Sequence, residues 1–139
     1  MEAEVPGRPV DVPADALVIR FRPTDPDQVF RRAELEFRRI GRYRLSVFAG
    51  VKAPGESDDD LKRRLVRAAG LSGINLDNQR KMFAARAEDL SGRGLVFYKD
   101  EDDDELDEHY SVDLGLESPR DIADRFLEAF GPGERRPPT

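Results

Sequence analysis

A chain of 139 residues with a formal net charge of −6 has the size of a single domain, since chains divide into several domains only well beyond this length. It contains no cysteine and one histidine, which excludes disulfides, thiolate metal sites, thiol nucleophiles and multi-histidine metal centres. No stretch approaches the roughly 20 apolar residues of a membrane span, and residues 1–15 lack the apolar segment of a signal peptide. We therefore expect a cytoplasmic protein that needs no cofactor, no metal and no membrane.

The negative charge is concentrated in one segment of the chain. Asp100–Glu108 holds eight of the 29 carboxylates, and outside this acidic segment 23 basic residues stand against 21 acidic ones. The sequence therefore predicts a nearly neutral body and one loop that carries the excess charge.

Residues 1–13 are predicted to form an extended leader with no packing face, because three prolines and small residues dominate after Glu2. The domain proper is expected over residues 14–131, followed by a disordered tail over residues 132–139. The β-branched run Ala16–Arg22, which ends at Pro23, predicts the first strand.

The next element begins as a helix and is then ambiguous. Asp25 followed by Pro26, with Gln28 three residues after the aspartate, is an N-cap signature. An apolar stripe could continue this helix to Ile40, but residues 33–40 also alternate as a strand would. We favour the second interpretation, in which Ala33–Ile40 and Tyr43–Val51 form a hairpin.

The middle of the chain contains the clearest periodic signals. Tyr43–Val51 alternates with period two, which predicts a strand. Ser57 with Asp60 is a capping box that starts a helix closed by Gly70. Residues 71–80 are expected to be irregular. A short strand over Lys81–Arg86 and a short helix over Ala87–Ser91 complete this part.

The last third is predicted to contain a hairpin and a helix. The runs 94–98 and 109–114 flank the acidic segment and are expected to pair, and Ser118-Pro119 starts a helix that ends at Gly131. The order of elements indicates a single α+β domain, with an antiparallel or mixed sheet of about five strands and three to four helices packed on it.

The acidic segment is the most unusual feature of the sequence. Its spacing fits a calcium loop poorly, because Glu105 occupies the position that requires glycine for the turn and Ser111 the position that requires a bidentate glutamate. Clustered carboxylates accelerate association with an oppositely charged surface, although a solvated hairpin tip would have the same composition. We predict that Asp102, Asp103 and Asp104 contact a partner with a basic surface.

A second candidate surface is the densest basic stretch of the chain. It consists of Arg31, Arg32, Arg38, Arg39, Arg42 and Arg44. Such a stretch can bind phosphates, but Glu34 and Glu36 can pair with it and the pI of about 4.9 disfavours nucleic acid. Arg38 and Arg42 are therefore predicted to contact a protein partner, or the acidic segment of a second copy in a salt-sensitive oligomer. His109 is expected to be structural.

One pattern resembles an enzyme family. Arg20 in the first strand, followed by Pro23 and a helix with Val29-Phe30, resembles the opening of ADP-ribosyltransferase domains over about the first third of the chain. The resemblance implies that Arg20 anchors NAD, that Ser46 takes the place of the strand serine, and that Glu105 or Glu108 takes that of the catalytic glutamate. The Ser-Thr-Ser run of that family is absent.

Two functions are thus predicted. The first is a small acidic protein–protein interaction module, which we associate with an antitoxin-like or operon-partner component of a bacterial system. The alternative is an NAD-binding enzyme similar to ADP-ribosyltransferases. No catalytic or metal-binding residue is assigned under the first function.

Overall fold

The computed structural model describes residues 7–21, 25–99, 106–114 and 119–138. Its strands are β1 (Arg8–Pro9), β2 (Leu17–Arg20), β3 (Arg44–Gly50), β4 (Lys81–Arg86), β5 (Val96–Lys99), β6 (His109–Asp113) and β7 (Glu134–Arg135). Its helices are α1 (Pro26–Ile40), α2 (Asp58–Leu71), α3 (Ala87–Ser91) and α4 (Pro119–Glu128), with one 3-10 turn at Leu76–Asn78. All strands join one antiparallel sheet in the order β1-β5-β6-β3-β2-β4-β7.

This arrangement confirms the predicted α+β class. The sheet has more strands than the five expected, because two-residue strands, β1 and β7, extend it at either end. Strands this short leave almost no periodic signal in a sequence. The predicted hairpin around the acidic segment is also present, since Val96 lies opposite Asp113 and Tyr98 opposite Ser111.

β2 runs through the sheet between β3 and β4 and is buried on both faces. Val18 belongs to one apolar core, while Leu17 and Ile19 belong to a second core on the opposite face. A strand that is covered on both sides needs no polar alternation, which explains its continuous apolar run.

Helices cover the two faces of the sheet. The first core contains Val29 and Ala33 of α1 together with Ala123 and Phe126 of α4. The second core is covered by α2, whose buried residues are Leu61, Leu65, Val66, Ala68 and Ala69.

Residues 33–40 form helix, so the hairpin that we favoured is wrong. Asp25 accepts a hydrogen bond from the backbone N–H of Gln28 at the start of α1, and Gly41 ends the helix at φ 75° with its N–H bonded to the carbonyl of Phe37. A left-handed residue suits glycine at a helix end. The alternation was misleading because Leu35 is 56% exposed and belongs to no buried strand face.

The two ends of the described chain lie against the sheet. Val10 and Val12 pack on the first core, although the sequence indicated no packing face there. Near the other end, β7 pairs with β4, and the Arg136 guanidinium donates to the carbonyl oxygens of Leu76 and Gln79. A disordered tail was expected from residue 132 onward, but residues 134 and 135 pair with β4. The sequence did not indicate this pairing because it joins segments far apart in the chain.

Candidate functional site

The acidic segment joins β5 to β6. Asp102, Asp103 and Asp104 lie outside the described residues, as do all positions from 100 to 105. On the described side, the Lys99 ammonium donates to the carbonyl oxygens of Leu106 at 2.8 Å and Asp107 at 2.9 Å. This cation therefore holds the end of β5 to the chain that leads into β6.

The Glu108 carboxylate, at the end of the acidic segment, lies near Arg64 of α2. Its carboxylate lies 3.6 Å from Nη1 of Arg64, and the Arg64 guanidinium also donates to Glu56. Hydrogen bonding to Glu56 raises the pKa of Arg64 above its usual value. Glu108 thus belongs to an ion-pair group against α2, whereas Asp107 is exposed.

The two arginines predicted to bind a partner have different environments. Arg38 is exposed on α1. Arg42 donates twice to the Asp113 carboxylate, at 3.0 and 2.8 Å, and hydrogen bonding to Asp113 raises the pKa of Arg42. The expected pairing within the basic stretch occurs between Arg39 and Glu36, at 2.6 Å.

The Asp113 carboxylate accepts hydrogen bonds from two arginines. Besides Arg42, it accepts a hydrogen bond from Nε of Arg44 at 3.1 Å. Arg44 is 1% exposed, and its guanidinium carbon lies 4.1 Å from the centre of the Tyr98 ring. This buried group ties β3 to β6 and β5, and nothing in the sequence linked residues 42–44 to residue 113.

Aromatic rings line the C-terminal part of α1. The Tyr43 ring stacks on Phe37 with centroids 4.4 Å apart and lies 6.4 Å from that of Phe30. Phe37 is 38% exposed. The helix surface near Arg38 therefore combines exposed cations with partly exposed apolar area.

A cavity of about 260 Å³ opens where β2 turns away from β3, and we call it the β2–β3 cavity. Arg20 of β2, Arg32 of α1, and Arg44 and Ser46 of β3 are among its lining residues. Arg20 and Ser46, two of the three residues that the enzyme resemblance requires, both line this cavity. Their side chains lie on opposite faces of the sheet, because Arg20 alternates with Ile19 and Ser46 with Val47. Glu108 does not line this cavity within the described residues, and Glu105 lies outside them.

Arg20 is held in an aromatic environment. Its guanidinium carbon lies 5.2, 5.3 and 5.2 Å from the ring centres of Phe83, Phe126 and Phe130, and Nη1 donates to the carbonyl of Phe21. Burial lowers the pKa of Arg20 to about 10. The group nevertheless remains protonated at neutral pH.

A second basic surface lies where β4 and β7 meet. Arg80, Lys81, Arg135 and Arg136 line one open depression of about 920 Å³ where β7 pairs with β4. They occur as two separate pairs in the sequence. Only the contact between β4 and β7 places them together, and no local pattern could have predicted it.

Across residues 7–21, 25–99, 106–114 and 119–138, there is no group of three or more His, Cys, Asp or Glu residues that could hold a metal ion. No helix within the same residues is long and apolar enough to cross a membrane. The His109 ring packs against Phe48 with centroids 5.3 Å apart.

Comparison of the chain with models of protein families, with curated proteins and with solved structures finds no match.

Proposed function

We propose that this chain is a small protein–protein interaction module whose acidic segment binds a partner with a basic surface. The observation that carries the proposal is the placement of eight of the 29 carboxylates in nine consecutive residues between β5 and β6. Clustered charge of one sign raises the rate of encounter with an oppositely charged surface and selects against like-charged partners.

The surroundings of the segment support this proposal. β5 and β6 pair directly, and Lys99 bonds to the carbonyls of Leu106 and Asp107. The segment therefore begins and ends on two paired strands. Because these strands are already ordered, binding a partner costs little conformational entropy at the two ends of the segment. We place the contact at Asp102, Asp103 and Asp104, with Arg38 and Arg42 as the second surface.

The proposed setting is a bacterial cytoplasm, where the chain acts as an antitoxin-like or operon-partner component that neutralises a basic protein. Of the two functions predicted from the sequence, this one has the better support. The alternative, ADP-ribosyl transfer, requires a glutamate beside Arg20 and Ser46, and Glu108 is instead close to Arg64.

The test is capture by an immobilised lysine-rich peptide. Replacing Asp102, Asp103 and Asp104 with Ser should weaken capture at low salt by about tenfold, since three attractive charges are lost. The melting temperature should hardly change, because the proposal assigns these carboxylates to the partner and not to contacts that hold the fold together. Affinity is measured by biolayer interferometry and stability by circular dichroism.

A charge-matched variant separates the segment from net charge. Replacing Asp11, Asp15 and Asp59 with Ser removes the same charge from exposed positions elsewhere. This control variant should bind the lysine-rich peptide as tightly as the unmodified chain does. Equal losses in both variants would assign the binding to overall acidity and refute a specific role for the acidic segment.

A further inference from the structure

β7 lies at one edge of the sheet, and β4 separates it from β2. Arg136 donates its backbone N–H to the carbonyl of Arg80, and the next pair in the register is Lys81 opposite Arg135. Hydrogen-bonded and non-hydrogen-bonded pairs alternate along an antiparallel ladder. Lys81 and Arg135 are therefore a non-hydrogen-bonded pair, in which the side chains of two opposed residues come closest to each other.

Strand alternation separates this pair from the other cations of the basic depression. Met82 is buried in the second core, so the side chains of Lys81 and Arg135 lie on the opposite face of the two strands. Arg80 and Arg136 lie on the same face as Met82, where the Arg136 guanidinium donates to backbone carbonyls. Lys81 and Arg135 are thus two cations that share one face of the sheet edge.

The Lys81–Arg135 pair has no counter-ion among the described residues. Both residues are exposed, and neither side chain forms an ion pair or a hydrogen bond within the part of the chain that the structure describes. The carboxylate of Glu134, the preceding residue, lies 3.1 Å from the Lys62 ammonium instead. Like charges directly opposite each other destabilise a strand pair. An anion that contacts both cations would remove this repulsion.

The backbone of Arg135 adds a donor and an acceptor at the same place. Because the N–H of Arg136 points to β4, the N–H and C=O of Arg135 point the other way, to the outer edge of β7. Within the described sheet no strand lies beyond β7, so this edge is open to a ligand. A peptide in extended conformation can pair with both groups. A nucleic acid backbone has no N–H to donate to the carbonyl, so the edge favours a peptide.

The acidic segment lies far from this edge. One row of paired residues crosses the sheet through His109, Phe48, Ile19 and Ala84. The acidic segment precedes His109 at one end of this row, whereas Lys81 lies beyond Ala84 in the opposite direction along the strands. Three strand spacings alone separate β6 from β4 by about 14 Å. This distance exceeds the Debye length of about 8 Å at physiological ionic strength, so the acidic segment repels an anion at β7 only weakly.

We propose that the Lys81–Arg135 pair and the outer edge of β7 bind an extended acidic peptide of a partner protein. Every second side chain of an extended peptide lies on one face, so a carboxylate can lie against both cations while the peptide backbone pairs with Arg135. Cations on an edge strand disfavour pairing with neutral or basic chains, which makes the edge selective for acidic ones. This site does not use the acidic segment and is independent of the basic partner proposed for it.

The test is the fluorescence anisotropy of a labelled peptide of alternating Glu and Thr, titrated with the protein at physiological ionic strength. Arg135→Gln and Lys81→Gln should each weaken binding by about fivefold, the size of one exposed ion pair. Arg67→Gln is the matched control, because Arg67 is exposed on α2 but does not line the depression. In a parallel NMR titration, the backbone amide resonance of Arg135 should shift until it saturates.

Weaker binding in Arg135→Gln and Lys81→Gln, with unchanged binding in Arg67→Gln and a saturating shift at Arg135, supports the site. Equal weakening in all three variants, or no shift at Arg135, overturns it. Tighter binding of a thymidine oligonucleotide with the same charge would assign the surface to nucleic acid. Self-association that is lost in Arg135→Gln would assign it to a second copy, and either result refutes the proposal. All three variants change exposed positions, and their folding is checked from the remaining resonances.

Discussion

At the scale of single residues, Asp113 is a buried carboxylate that two guanidinium groups share. Its side chain is 5% exposed and accepts hydrogen bonds from two arginines. A buried guanidinium without its carboxylate is costly, because desolvation is then no longer offset. The sheet between β3 and β6 therefore depends on this carboxylate more than on any single surface ion pair.

We expect Asp113→Asn to lower the free energy of unfolding by about 3 kcal/mol, since it keeps the shape of the side chain but removes its charge from a buried pair. Urea denaturation measures the change. The control is Glu36→Gln, which breaks the surface pair with Arg39, whose side chain is 66% exposed. Such pairs contribute about 0.2–1 kcal/mol. Similar costs in both variants would contradict the structural role of Asp113.

At the scale of elements, helix starts are set by side chains that bond to the backbone. Ser57 accepts from the N–H of Asp60, and the Asp60 carboxylate accepts from the N–H of Ser57. The backbone and side-chain hydrogen bonds with Ser57 lower the pKa of Asp60 below its ordinary value. A carboxyl group with a lowered pKa in the folded state stabilises it only while ionised.

We expect the contribution of the Asp60 carboxylate to stability to disappear at acid pH. At neutral pH, Asp60→Ala should have a lower urea midpoint than the unmodified chain. As the pH falls below the ordinary Asp value and through the lowered one, the carboxylate is protonated and the difference should vanish. Asp59→Ala is the control, because Asp59 lies in the same helix turn outside the capping box. A difference that persists unchanged in acid would contradict this explanation.

Elements with local signals were predictable from the sequence, and contacts between distant segments were not. The capping box at Ser57 and the alternation of Tyr43–Val51 each lie within a few residues, so α2 and β3 were found. α1 was misjudged because Leu35 and Phe37 are apolar yet partly exposed, which imitates a strand face. For the candidate sites, the sequence singled out Arg20 and Ser46, but only the separation of β2 from β3 places them at one cavity with Arg32.

At the scale of the whole molecule, short terminal strands cover both edges of the sheet. β1 pairs with β5, and β7 pairs with β4. An uncovered edge strand offers free N–H and C=O groups to other chains. We therefore expect β1 and β7 to contribute to stability and to limit edge-to-edge association.

Ending the chain after Gly133 tests this contribution. The truncation removes the Lys62–Glu134 ion pair and the bonds of Arg136 to Leu76 and Gln79, so the free energy of unfolding should fall by about 2 kcal/mol. The exposed edge of β4 should also increase self-association, measured by analytical ultracentrifugation. Ending the chain after Pro137 keeps β7 and should have little effect. If the shorter truncation product were as stable and as monomeric as this control, β7 would be dispensable. Residues 134–139 would then behave as the tail that composition alone suggested.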